Sequence, residues 1–285
     1  MQPILFTIPG TGIPVHSWGA TVAFSLIVGW ALSLHWARRD RLPAQQLGTA
    51  YVLAVAGALF GSRLLWTQQH VGEPGAESLF SVEAGGMAVG GGLILASIVT
   101  FLYTRTRRIP FFAWTDCMAP GTLFGVAMER FGAFLAGADF GITVDADFAL
   151  GVRYPPGSPA YAYHADFLNQ LSRSTAESLP VHPATLYAMV VALLGVVVAL
   201  FVRKRRRFAG QVTFVALSTF IVGQMIVEDA FRIDGSESFI GFLTYGMVSG
   251  GGLLAILGIA YRSLAKSATK HPERHQPWRG GRDKA

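Results

Sequence analysis

Arg63, Arg130, Arg232, His16, His182 and Glu228 stand in or at the ends of apolar runs, where ionisable side chains are rare. The clearest case is Arg130, which follows Glu129 at the end of FFAWTDCMAPGTLFGVAMER, residues 111–130, and precedes FGAFLAGADFG. An ionisable group inside a bilayer is costly and normally faces a protein interior or a watery cavity. A guanidinium offers a planar fork of donors that suits a phosphate. Such a set of residues can hold an anionic headgroup whose tails stay in hydrocarbon.

The elements that carry these residues follow from composition. Of 285 residues, 52% are hydrophobic and 14% charged, against roughly a quarter charged in a soluble domain. Apolar runs near bilayer length recur over about 14–36, 47–66, 87–104, 112–137, 184–202, 211–231 and 241–261. The expected fold is an all-α polytopic membrane protein, with seven transmembrane helices and a small extracytoplasmic cap. The membrane domain covers 1–265, with the cap at 138–183, and a disordered basic cytoplasmic tail covers 266–285.

Basic clusters at Arg38/Arg39/Arg41, Arg105/Arg107/Arg108, Arg203–Arg207 and from Arg262 onward each follow an odd-numbered span. The positive-inside rule then puts the amino terminus outside and the carboxyl terminus in the cytoplasm. The net charge of +6 is thereby accounted for by orientation, and no nucleic-acid partner is expected. The single Cys117 excludes an internal disulfide, and no metal or nucleotide motif is present. The first span reads as a retained helix, lacking a preceding basic region and a cleavage pattern.

On this topology Arg63, Arg130 and Arg232 share one level near the outer face, with His16, His182 and Glu228. They suggest a cavity open to the outer leaflet. Plainer readings stand beside this one. Arg63 and Arg232 also fit snorkelling to the interface, and Glu228 with Arg232 fits an i, i+4 pair. Glu129 and Arg130 are adjacent on a helix and are expected to point about 100° apart. Asp116 reads as a helix-start acid, Cys117 as packing. GALFG (57–61) and GTLFG (121–125) have the spacing of close helix contacts.

Eight stretches in order resemble the prolipoprotein diacylglyceryl transferase family: VHSWG (15–19), FGSR (60–63), GGMAVGGGLI (85–94), FFAWTDCMAPGTLFG (111–125), RFGAFLAGADFG (130–141), GVRYPPGSPAY (151–161), VHPATLY (181–187) and IVE (226–228). The resemblance implies transfer of diacylglyceryl from phosphatidylglycerol to the cysteine thiol of a lipoprotein precursor in the bacterial inner membrane, without metal or cofactor. It matches Arg130 to the phosphate-binding arginine of the GRxGNFxNxExxG signature, Gly132 and Gly141 to signature glycines, and Glu228 to the acid of the VE motif. Arg130, Arg63, Gly132, Gly141 and Gly91 are the candidates for holding the lipid phosphate. Glu228, Arg232 and His182 are the candidates for the chemistry of transfer.

Seven positions depart from the family pattern. Trp18 replaces a tyrosine, Gly90 the histidine of HGGL, Ala133 and Ala136 the asparagines and Ala138 the glutamate of the signature, Gln224 an arginine, and Ala188 an acid. Asp139, one residue beyond the missing glutamate, is placed to substitute for it in part. A second reading is therefore a lipid-binding relative without transfer chemistry.

The orientation has a direct test. With Cys117 replaced by serine, a cysteine at Ser172 is expected to react with an impermeant thiol reagent from outside, and one at Lys266 only after the membrane is opened. Reaction of both from the same side overturns the topology.

Overall fold

The computed structural model describes residues 4–7, 9, 12, 14–72, 86–167, 176–233, 238–240 and 243–270. The order is β1 (Ile4–Thr7), β2 (Pro14–His16), α1 (Ser17–Arg39), α2 (Ala44–Gln69), α3 (Val89–Thr106), α4 (Phe111–Ala136), α5 (Pro159–Ala162), a π-turn (Tyr163–Phe167), α6 (Ala184–Arg205), α7 (Gln211–Phe231), β3 (Ser238–Ile240), β4 (Leu243–Thr244) and α8 (Tyr245–Lys270). The two strand pairs are short antiparallel hairpins.

Among the described residues five helices are long and apolar enough to cross a membrane: α1, α2, α3, α6 and the Met247–Lys270 part of α8. At 26 residues α4 has the length, but it carries Asp116, Glu129 and Arg130, with Pro120 inside it. In α7 the apolar described stretch is Gln211–Val227. The structure thus supports a helical membrane protein with five such helices, where the sequence suggested seven spans.

Several boundaries move. The first helix begins at Ser17 because Pro14–His16 pair with β1. The last begins at Tyr245 and runs to Lys270, so 266–270, assigned above to the tail, are helical. Residues 271–285 lie outside the described residues.

The described residues fall into two compact units, one within 32–117 and the other within 1–31 and 118–270. In the first, α2 packs on α3 through glycines. A Cβ on Gly61 would run into the Gly91 carbonyl oxygen and lie 2.6 Å from Leu95 Cβ, and one on Gly91 would meet Gly61 and Leu65 in return. Gly57 faces Ala96 Cα at 3.2 Å in the same way. Without a hydrophobic force between helices in lipid, close backbone approach maximises dispersion contact. The GALFG spacing is thus a packing device. Cys117 is buried, with its Sγ 3.5 Å from Asp40 Oδ2. Asp116 is fully buried in the second turn of α4, deeper than a helix-start acid.

In the second unit Ala119 and Leu123 of α4 meet Ala199 of α6 and Val212 and Ala216 of α7 in one buried cluster. Gly121 approaches Gly29 of α1, where a Cβ would lie 2.9 Å from the Gly29 carbonyl oxygen. The GTLFG spacing is half used this way, since Gly125 has only Ser25 near it, at 3.7 Å.

The described residues between α4 and α6 have a buried cluster of their own. Phe140, Tyr154, Ala160 and Val181 are buried together. Val181 bridges both Thr143 and Val152. Ser178 and Tyr154 fasten the return: the Tyr154 amide donates to Ser178 Oγ at 2.9 Å, and the Ser178 amide donates to the Tyr154 carbonyl at 2.8 Å. Ser158 caps α5 by accepting from the Tyr161 amide.

The glycine contacts predict substitutions of opposite sign on neighbouring helices. Gly61→Ala forces a methyl onto backbone and is expected to cost about 1–3 kcal/mol. At Gly90 only Leu65 Cδ2, at 3.7 Å, lies near a Cβ. Gly90→Ala is expected to gain roughly 0.5–1 kcal/mol from helix propensity. Thermal unfolding in detergent checks both; equal effects would remove the packing explanation.

Candidate functional site

Arg130 lies one and a half turns before the end of α4, and Arg232 is the first residue beyond α7. Asp139 brings them together. Its Oδ2 lies 2.8 Å from Arg130 Nη1 and its Oδ1 3.6 Å from Arg232 Nη2. The Asp139 backbone sits at φ 49°, a left-handed conformation that aspartate tolerates better than most side chains. Glu129 adds a second acid: its Oε2 is 3.1 Å from Arg130 Nε. Adjacent residues therefore do pair here, against the 100° expectation, because both side chains are long enough to bend around the helix. Trp18 Nε1 donates to Glu129 Oε1 at 3.2 Å, which gives the tryptophan a role in holding this acid.

Backbone contacts set the level at which these side chains meet. The Gly141 amide donates to the His182 carbonyl at 3.1 Å, and the His182 amide to the Ile142 carbonyl at 3.0 Å. The Ile142 amide donates to the Phe231 carbonyl at 2.9 Å, and the Ile233 amide to the Phe140 carbonyl at 3.3 Å. Residues 140–142 are thus clamped between the start of α6 and the end of α7. Gly141 is required by crowding: a Cβ there would strike the His182 carbonyl oxygen and lie 2.7 Å from that of Phe231. Arg232 itself is extended, with φ −80° and ψ 145°. It is the cap residue at the end of α7; the Glu228 side chain, and with it the expected i, i+4 pair, lies outside the described residues.

The other expected site residues are placed as follows. His182 is half-buried in an aromatic box of Phe148, Tyr187 and Phe231, its Nδ1 3.2 Å from the Tyr187 hydroxyl. Gly132 faces α1, where a Cβ would run into Thr21 Oγ1 and lie 3.1 Å from Trp18 Cα. Gly132, Gly141 and Gly91 all have protein where a side chain would be. His16 is exposed in β2. Arg63, in the other unit, is 5% exposed. Its Nη1 donates to the Gly86 carbonyl at 3.0 Å and its guanidinium lies 4.7 Å from the Trp66 ring centroid. A desolvated cation–π contact of this kind contributes about 2 kcal/mol.

Tyr154 and His164 were not singled out in the sequence, and no periodicity marks them. His164 is fully buried against Phe140 and Tyr163, and neither ring nitrogen has a hydrogen-bond partner among the described residues. Burial pushes its pKa below the ordinary 6.5. Burial likewise pushes the Tyr154 phenol up to about 12, with the Thr185 hydroxyl opposing in part. Among the described residues no cluster of metal-ligating side chains occurs.

A profile of the prolipoprotein diacylglyceryl transferase family matches residues 3–265. The chain belongs to that family. The phosphatidylglycerol–prolipoprotein diacylglyceryl transferase of Bacillus cereus (strain G9842) is 26% identical over 219 residues, 75% of this chain and 76% of the relative. That of Trichormus variabilis is 24% identical over 243 residues, 79% of each chain, and that of Bacillus cytotoxicus 26% over 247 residues, 85% of each.

The family's polar positions that are lost here fall in distinct surroundings. Ala133 and Ala188 are buried. Gly90 is exposed, with open space beside it. Gln224 keeps a polar group, and its Oε1 is buried without a hydrogen-bond partner among the described residues.

The buried imidazole has a pH signature. Above 6.5 His164 is neutral in folded and unfolded chains alike, and its contribution to stability is complete. As pH falls through 6.5 the unfolded chain binds a proton that the folded chain takes up only at lower pH. Unfolding temperature is therefore expected to drop below pH 6.5, and His164→Phe is expected to flatten that drop. An unchanged profile in the variant would assign the acid sensitivity elsewhere.

Proposed function

We propose that this chain is an outer-leaflet diacylglyceryl transferase of the bacterial inner membrane, carrying the diacylglyceryl group of phosphatidylglycerol to the cysteine thiol of a lipoprotein precursor. The meeting of Arg130 and Arg232 at one carboxylate, in a chain of this family, carries the reading. The orientation proposed with it, amino terminus outside, carboxyl terminus inside and seven spans including α4 and α7, rests on the basic clusters that follow the odd-numbered runs.

In the transfer a C–S bond forms at the glyceryl carbon as its C–O bond to phosphate breaks. The thiol loses its proton, and the phosphate leaves as a phosphomonoester. Negative charge therefore grows on the leaving group, where fixed cationic donors are most effective. Arg130 and Arg232 are the donors for that charge. Glu228 and His182 are the residues proposed to serve the thiol proton, which needs a base or a lowered thiol pKa. Gly132 and Gly141 serve the phosphate site through the backbone approaches that they permit. Arg63 and Gly91 act within their own unit, one committed to Gly86 and Trp66 and the other to the α2–α3 contact.

One observation favours a second reading. Gly90, Ala133, Ala136, Ala138, Ala188 and Gln224 stand where the family pattern has groups able to move protons or hold charge. A chain that keeps Arg130 but lacks those groups, an arginine among them, retains lipid binding more readily than turnover. Purified full-length protein with phosphatidylglycerol and a lipobox peptide separates the two, by scoring thioether formation on the peptide. No product together with lipid binding supports the second reading.

Both readings need the arginine. Arg130→Ala is expected to weaken binding of a short-chain phosphatidylglycerol by roughly ten- to a hundredfold, from a charge-assisted contact of about 1.5–3 kcal/mol. Arg130→Lys is expected to restore part of it, since a point charge lacks the fork. Binding at full strength by a folded Arg130→Ala protein overturns the assignment.

A further inference from the structure

Asp139 is held from both sides. The Ala138 amide donates to the Ala133 carbonyl at 3.0 Å, and the Phe140 carbonyl accepts from the Ile233 amide. Between these anchors its side chain is 37% exposed, while Arg130 and Arg232 are 19% and 17% exposed. The carboxylate engages one guanidinium with each oxygen. A phosphodiester offers the same feature, two equivalent anionic oxygens on one atom. An anion bound to the facing donors of both arginines would have to lie where the Asp139 carboxylate now lies, and like charges at that separation repel.

We propose that Asp139 is an internal stand-in for the phosphodiester: it occupies the arginine pair in the lipid-free protein, and an incoming headgroup displaces it. Asp139 then sets how tightly the site holds an anion. The inference rests on the phosphate site proposed above and adds the competitor. Its surroundings permit the exchange, because the backbone is fixed while the exposed carboxylate can turn to water. With Glu129 also bound to Arg130, the two acids neutralise the two arginines. With Asp139 in place these four groups balance in charge, and positive potential returns only when Asp139 swings away.

The test uses the full-length protein in detergent, titrated with a short-chain phosphatidylglycerol and with the diacylglycerol of the same chains, which lacks the phosphate. Asp139→Asn and Asp139→Gly both accommodate the left-handed backbone, so the second serves if the first folds poorly. Removing the carboxylate is expected to tighten phosphatidylglycerol binding by about three- to tenfold, a value held down by the solvent exposure of the pair. Diacylglycerol binding is expected to stay unchanged, and the gain to vanish in an Arg130→Ala background. Unchanged or weaker phosphatidylglycerol binding in the Asp139 variants, with Arg130→Ala still weakening it, overturns this inference alone. An equal gain for both lipids overturns it too. Full-strength binding by Arg130→Ala overturns the phosphate site and the inference together.

Discussion

The contact on which the site depends is the crowding at Gly141. Three stretches of backbone converge there: the exit of α4, the residues before α6 and the residues after α7. None of the three helices aims a guanidinium at another by itself. Arg130 points from the last turns of α4, and Arg232 reaches the same carboxylate because its backbone is extended and bridged to Gly141. A side chain at residue 141 would separate these strands and with them the two arginines. The electrostatics of the site therefore rest on a steric fact several ångströms away from any charge.

The Asp139 carboxylate is an economical solution to a problem that lipid-facing proteins share. Two guanidiniums near an apolar phase need counter-charge when no ligand is bound. Glu129 supplies it to Arg130 through Nε, leaving other donors of that fork free for Asp139. The indole of Trp18 fixes Glu129 from α1. Arg63 meets the same need in part through a carbonyl oxygen and an indole face.

Much of this was legible in the sequence. Among the described residues apolar runs fell on each long helix, and five of these have the length and composition that a bilayer requires. The glycine spacing of 57–61 announced a close crossing. Arg130 and Arg232 stood out because charge is expensive in such runs. What escaped was set by the tertiary fold. Asp139 was placed by its neighbour's absence, but its bridging role depends on a left-handed residue in a loop, which no period reveals. The pairing of Glu129 with Arg130 escaped because helical angles describe Cβ directions and not the reach of long side chains. The departure of Arg232 from α7, the β1–β2 hairpin before α1 and the extension of α8 to Lys270 belong to element ends, where hydrogen bonds to other segments compete with the helix.

The clamp at Gly141 also has a bearing on biogenesis. Its three strands are far apart in the chain, and the last of them follows α7. While the ribosome is still delivering α6, Arg130 has left the synthesis machinery but Arg232 has not, so the arginine pair does not exist. The pair forms only once α7 is made and its carboxyl end meets the α4 exit, a long-range closure of the kind that folds slowly. Until then Arg130 and Asp139 can satisfy one another locally, nine residues apart in the chain. The nascent protein can thus keep this arginine neutralised as soon as α4 and the residues just after it are made, well before the second arginine arrives.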